Sequence, residues 1–169
     1  MSKIRLYSST WIYALAVSLS VALCIFIFVM SGKTAEVSAE QSGEIAEWLA
    51  PLFVDDFDEL GEFEKTEVLL DIDHVVRKTV HFCIFAALGA LLAFSSLWHS
   101  RTWISHFLIA WLLSVLYAAS DEFHQAFVPG RGPMVSDVAL DGAGALVGVL
   151  FALFLARTLQ KVKSRPSLS

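Results

Sequence analysis

Cysteine is scarce in this sequence: Cys24 and Cys83 are the only two among 169 residues. Both fall inside long apolar runs, so neither a disulfide framework nor a cysteine metal site is expected and each thiol reads as a small packing group. Charge is scarce too, at 17% of residues, where a soluble domain carries about a quarter. Acid is absent from whole stretches of the chain. Thirteen of the 17 acidic residues lie from Glu36 to Asp73, and the other four are Asp121, Glu122, Asp137 and Asp141. There is no internal repeat and no EF-hand loop with its oxygen spacing and central Gly. No nucleophile elbow frames a serine, which leaves Ser120 as a weak nucleophile at best.

What the chain has instead is apolar residues, 56% of the total, gathered into four runs at 11–30, 79–98, 103–120 and 138–156. Each is close to the roughly 20 residues that a helix needs to cross a hydrocarbon core. The expected fold is therefore all-α, a polytopic membrane protein with four transmembrane helices. Lys3 and Arg5 ahead of the first run, with Val37-Ser38-Ala39 after it, loosely resemble a secretory signal. The run is longer than a signal's apolar core and ends well short of that site, so an uncleaved span is expected.

Basic residues set the expected orientation. With the N-terminus inside, the inner segments hold Lys3, Arg5, Arg101, Arg157, Lys161, Lys163 and Arg165. The outer segments then hold Lys33, Lys65, Arg77, Lys78 and Arg131. The positive-inside rule favours this arrangement, with both termini cytoplasmic. The basic tail reads as a topology anchor, and no nucleic-acid partner is expected. The chain divides into four segments: an N-terminal transmembrane helix at 1–30, an acidic extracytoplasmic amphipathic segment at 31–76, a three-helix core at 77–156 and a basic cytoplasmic tail at 157–169. In the acidic segment, Ile45, Trp48, Leu49, Leu52 and Phe53 keep helical spacing, as do Val68, Leu69, Ile72, Val75 and Val76. Asp55-Asp56-Phe57-Asp58-Glu59 breaks them apart. One or two amphipathic helices are expected there, apolar face against lipid or bundle.

Ionisable groups at membrane depth are costly and need a partner, a wet cavity or a task. They cluster at the predicted outer ends of spans two, three and four. His81, Phe85 and Gly89 share one stripe of span two; Tyr117, Ser120, Asp121 and His124 share one of span three. Asp137, Asp141, Gly144 and Gly148 share one of span four, and the Gly-x3-Gly spacing marks that stripe as protein-facing. Ser136 or Asp137 is placed to cap span four. Pro129-Gly130-Arg131-Gly132-Pro133 is a tight loop that presents Arg131, with the carboxylates as its expected targets.

The ordered series Lys78-x2-His81-Phe82, Leu88-Gly89, Asp121-Glu122-Phe123-His124-Gln125-x-Phe127-Val128-Pro129-Gly130-Arg131 and Asp137-Val138-x2-Asp141-x2-Gly144-x3-Gly148 resembles the VanZ family of small bacterial membrane proteins. The resemblance covers residues 75–156. It departs at Phe85, where relatives often carry Tyr, and at Asp141, where many carry Asn. The family is named for a member linked to teicoplanin resistance, so the resemblance implies a cell-envelope role in the bacterial cytoplasmic membrane. It implies no particular reaction.

Three readings of the cluster stand side by side. In the first, Asp121, Glu122, Asp137 and Asp141 are balanced by Arg77, Lys78 and Arg131 in an ion-pair network that closes the bundle. In the second, His81 or His124 is a general base oriented by a carboxylate, with Arg131 holding the phosphate of a lipid or lipid-linked wall precursor. A metal version would use His81, Asp121, His124 and Asp137. Asp121-x2-His124 is half of a di-iron carboxylate motif, and its second half is missing. In the third, the protein binds without turnover, as a receptor, a partner subunit or a small-molecule shield at the outer leaflet, with a lipid-linked or glycopeptide small molecule as an expected ligand. In every reading Lys78, Gln125, Asp137, Asp141, Gly144 and Gly148 form the supporting cluster. His74, His99 and His106 are not expected to carry site roles.

Overall fold

In the computed structural model, residues 10–99 and 102–163 are described, apart from the side chains of residues 35, 36, 39, 41, 162 and 163. The expected inner basic residues Lys3, Arg5, Arg101 and Arg165, and the side chain of Lys163, lie outside what is described. Among the described residues five α-helices succeed one another, α1 (Thr10–Ser31), α2 (Ala35–Phe53), α3 (Glu62–Ser96), α4 (Trp103–Gln125) and α5 (Val135–Lys163). No strand occurs among the described residues. Four of them, α1, α3, α4 and α5, are long and apolar enough to cross a membrane. The protein is a multi-pass membrane protein.

The acidic segment differs from expectation in one respect. Its first amphipathic stretch is a separate helix, α2, begun by Thr34, whose hydroxyl accepts the Val37 amide. Asp55 to Glu59 form the expected break, a turn with Asp56 in the left-handed conformation that Asp tolerates, then a short 3-10 helix at Phe57–Glu59. The second stretch is not a surface helix of its own. It is the N-terminal part of α3, which runs unbroken for 35 residues. At about 1.5 Å per residue that helix is about 52 Å long, so its acidic first turns stand beyond a hydrocarbon core of about 30 Å. Nothing between Thr66 and Thr79 breaks a helix: there is no Gly and no Pro.

The large apolar residues of α2 face away from α3. Trp48, Leu52 and Phe53 are exposed, while Ser42, Ala46 and Ala50, spaced by four, are buried. The small-residue face docks on α3, and the bulky face is left for lipid. The helices of the three-helix core approach still more closely. A Cβ at Gly144 would lie 2.3 Å from the Phe82 carbonyl oxygen, and one at Gly148 would lie 1.8 Å from that of Ala86. Gly89 returns the contact, with a Cβ there 2.4 Å from the Ala145 oxygen. Backbone therefore meets backbone along α3 and α5, the most extensive helix pair of the fold.

Around that seam Ala93, Leu97, Ala110, Val149, Ala152 and Ala156 fill one end of the core. Ile27, Phe85, Leu88, Ala118 and Ala145 fill the other. Trp111 Nε1 donates to the Gly142 carbonyl at 3.0 Å, which ties α4 to α5. His106 is fully buried beside Ser96, its Nδ1 3.0 Å from the hydroxyl, which locks the α3–α4 hairpin. α1 lies on the outside, against α3 and α4, with most of its Leu, Ile, Val and Phe side chains exposed.

The glycine seam predicts opposite outcomes at two helical glycines. Gly148→Val should cost at least about 2 kcal/mol, because its branches would overlap the α3 backbone. Gly43→Ala in α2, where an added Cβ meets nothing within 4 Å, should be stabilising by about 0.5–1 kcal/mol. Melting of the two variants in detergent, read by circular dichroism, checks both.

Candidate functional site

Up-and-down connection brings four helix segments to one end of the bundle: the C-termini of α1 and α4, the N-terminus of α5 and the middle of α3. Here the chain concentrates its buried polar groups, with Asp73, Asp121, Glu122, Gln125 and Asp141 all buried. The seam of α3 on α5 fixes the first pairs. Lys78 Nζ donates to Asp137 Oδ1 at 2.7 Å, and one helical turn further along His81 Nδ1 stands 3.6 Å from Asp141 Oδ2. The latter is ion-pair range, longer than a good hydrogen bond. Arg77 pairs within α3 with Asp73 at 2.8 Å, and Ser42 of α2 donates to the same carboxylate.

A second set is organised around α4. Asp121 Oδ2 accepts from Ser31 Oγ of α1 at 2.9 Å and from Gln125 Nε2 at 3.0 Å. Gln125 Oε1 in turn accepts from Arg131 Nη1 at 3.2 Å, and Arg131 Nη2 donates to the Ser38 hydroxyl of α2. One chain of bonds thus joins α1, α4, the α4–α5 loop and α2. Glu122 Oε1 accepts the Met134 amide at 2.6 Å and so satisfies a free donor at the start of α5.

Arg131 stands apart among the cations. It is half-buried, and both hydrogen bonds that the described residues give it go to neutral oxygens. Burial, and after it the neighbouring charge of Arg77, pull its guanidinium below the usual range. The Asp121 and Glu122 carboxylates offset part of this, and the guanidinium stays charged, as it does in proteins generally.

These groups surround a cavity of about 440 Å³. Lys33, Arg77, Lys78, Arg131, Glu122, Asp137, Asp141 and His81 supply its polar wall, and Phe26, Met30, Ile45, Val80, Ile84 and Leu140 its apolar wall. The volume lies within the range typical of small-molecule sites.

The predicted site residues are only partly brought together. His81, Glu122, Gln125, Arg131, Lys78, Asp137 and Asp141 line the cavity. His124 does not: its ring stacks on Phe28 of α1, with centroids 4.3 Å apart, and its Nδ1 is buried without a hydrogen-bond partner. Asp121 sits behind Gln125 as a support, and its Oδ1 is likewise unpartnered. The set His81, Asp121, His124 and Asp137 does not converge as a metal site, and no such group of three or more His, Cys, Asp or Glu occurs among the described residues. The reason is that His81 is drawn to Asp141, Asp137 to Lys78 and His124 to α1. Arg131 turns towards Gln125 and Ser38 rather than directly onto a carboxylate. α5 begins at Val135, so Ser136 and Asp137 lie within its first turn instead of ahead of it. Ser120 bonds its own helix, to the Tyr117 carbonyl, and is exposed. Gly144 and Gly148 face protein, as their spacing implies.

The VanZ/LLP1 family model matches residues 10–156, which is most of the chain. The chain belongs to the VanZ/LLP1 family. In this VanZ/LLP1 member the match reaches back through the acidic segment to α1, beyond the 75–156 region where the motifs lie. No curated protein and no solved structure matches it.

Several residues of the cavity and its supports escape sequence reasoning: Ser31, Ser38, Ser42, Met30 and Phe26. A signal exists for two of them. Ser38, Ser42, Ala46 and Ala50 fall every four residues on the side of α2 away from Trp48 and Leu52, the pattern of a docked small-residue face. Tyr117, which the sequence places on the stripe of span three, turns to α1: its hydroxyl donates to the Cys24 carbonyl at 2.5 Å and helps hold α1 against α4.

Asp121 is predicted to matter for folding more than Asp137. Asp121→Ala leaves the Ser31 hydroxyl and the Gln125 amide without their acceptor and should cost about 1–3 kcal/mol. Asp137→Ala removes a pair whose side chains are about a third exposed, so screening holds the loss under about 1 kcal/mol. Thermal denaturation of both variants in one detergent gives the ranking.

Proposed function

We propose that this VanZ/LLP1 protein is a binding protein of the bacterial cell envelope that takes an amphipathic small molecule into the cavity bounded by all five helices and the α4–α5 loop. The observation that carries the reading is the cavity's two-sided lining, with cations and carboxylates on one wall and membrane-depth side chains such as Phe26 and Ile84 on the other. Such a site suits a ligand with a polar head and an apolar body, held at the membrane boundary. The distribution of basic residues supports an outer-face position in the cytoplasmic membrane, both termini inside. Resistance to teicoplanin, a glycopeptide, would follow from altered access of the drug to its target.

An enzymatic reading has one observation in its favour. His81 lines the cavity and is held by a buried carboxylate, the arrangement of an oriented general base. Analysis of molecules that co-purify with the protein separates the two: an intact ligand supports binding, and its turnover product supports catalysis.

Two outcomes are expected in cells. A cysteine placed at exposed Gly132 should be labelled from outside by a membrane-impermeant maleimide, and one at exposed His99 only after lysis. The reverse pattern would put the cavity on the inner face. In a susceptible host, the wild-type gene should raise the inhibitory concentration of teicoplanin, and Ile84→Trp, which fills the apolar wall, should remove that gain. No difference between wild type and empty vector would end the resistance role for this protein.

A further inference from the structure

The charges that line the cavity point to the chemistry of its ligand, provided that the cavity is an amphiphile site. Cations and anions in the lining are not matched one to one. Lys78 is taken by Asp137, and Arg77 by Asp73, which stands outside the lining. Asp141 faces His81 at 3.6 Å, an ion pair when the imidazole is protonated, and Glu122 Oε1 accepts the Met134 amide. Arg131 makes no ion pair among the described residues, and its partners are the neutral oxygens of Gln125 and Ser38.

The geometry of Arg131 is also restrained. Its loop is closed by the Arg131 amide bonding the Val128 carbonyl at 3.1 Å, with Gly130 in the left-handed conformation at φ 77° that glycine adopts freely. Gln125 and Ser38 grip one N–H from each terminal nitrogen. A guanidinium carries five N–H groups in a planar fork, so three remain for a ligand. Asp121 and Glu122 offset part of its charge from a distance, but among the described residues no carboxylate bonds it directly, and a half-buried cation in that position gains from an anion that does. The planar fork fits carboxylate and phosphate alike, and the neighbouring charge of a second guanidinium, Arg77, favours the group with more negative charge and more acceptor oxygens, a phosphate ester.

We propose that the ligand carries a phosphate ester on an apolar chain, with the phosphate held by Arg131 and flanked by Arg77 and Lys78, and the chain laid along Phe26, Met30, Val80 and Ile84. The apolar wall is built from residues of the membrane-crossing helices, so head and tail are accommodated at the depths they occupy in a bilayer. This phosphate could reach the site on a lipid or as a soluble ester, and the two sources differ in whether the apolar wall contributes.

The test uses the full chain in a neutral detergent, titrated with three probes: phosphatidic acid, the diacylglycerol with the same chains, and glycerol 3-phosphate. Binding of phosphatidic acid at least about tenfold tighter than diacylglycerol is expected, since a charge-assisted pair at a desolvated site contributes on that order. Glycerol 3-phosphate, which has the head without the chains, should bind far more weakly than phosphatidic acid. Arg131→Gln should close most of the gap between phosphatidic acid and diacylglycerol, and Arg131→Lys should keep part of it. The wild-type comparison needs no variant, and melting of R131Q reports separately on its folding. Equal binding of diacylglycerol and phosphatidic acid would overturn the phosphate assignment while leaving the amphiphile site standing. Equal binding of glycerol 3-phosphate and phosphatidic acid would overturn the lipid as its source. No saturable binding of either lipid would overturn the cavity reading itself.

Discussion

The contact of α3 with α5 through glycine is the constraint on which the rest of the molecule depends. Gly89, Gly144 and Gly148 let the two backbones touch where any side chain would overlap a carbonyl. Between apolar helices in a membrane there is little hydrophobic driving force, and close van der Waals approach has to provide the association. Because the seam has one register, every side chain above it is placed as well. Lys78 meets Asp137 and, about one turn further along each helix, His81 meets Asp141. α4 and α1 then pack around a pair that is already defined.

The polar end of the bundle is built by pairing rather than by exposure. Among the described residues five buried acidic or amide side chains gather there, and each has a specific neighbour. Asp73 has Arg77 and Ser42, Asp121 has Ser31 and Gln125, Gln125 has Arg131 besides, Glu122 has the Met134 amide, and Asp141 has His81. Part of the cluster is therefore the closing network that charge counting suggests. A pure network would leave no uncompensated cation. Arg131 lines a cavity and bonds only neutral oxygens among the described residues, and the proposed binding role rests on that feature.

The four spans are legible in the sequence because each is a run of apolar residues long enough for a bilayer, a property of the residues alone. The Gly144–Gly148 stripe is legible for a similar reason: its spacing defines a face whatever it meets. The pairings are not. A stripe tells which residues share a face of α4, but not that His124 turns to Phe28 of α1 while Asp121 turns to Ser31 and Gln125. The four residues suggested as metal ligands each take a different neighbour, and that choice depends on helix rotation, which a one-dimensional pattern does not record. The unbroken α3 is hidden because the change from acidic to apolar composition near Thr79 looks like a boundary, although the backbone has no reason to stop there. The role of α2 is hidden because its conspicuous residues, Trp48 and Phe53, point away, and its inconspicuous serines do the joining.

A glycine seam thus positions a polar cluster, and the cluster roofs a cavity that reaches into the apolar part of the bundle. Whether that cavity holds a selected molecule, and not whatever lipid surrounds the protein, is tested most directly by photo-crosslinking in native membranes. A photoreactive amino acid is placed at Ile84 in the cavity wall and, for comparison, at Leu116, which is exposed on α4. Mass analysis of the adducts should show one dominant species at position 84 and the bulk lipid mixture at position 116. The same mixture at both positions would contradict selective binding.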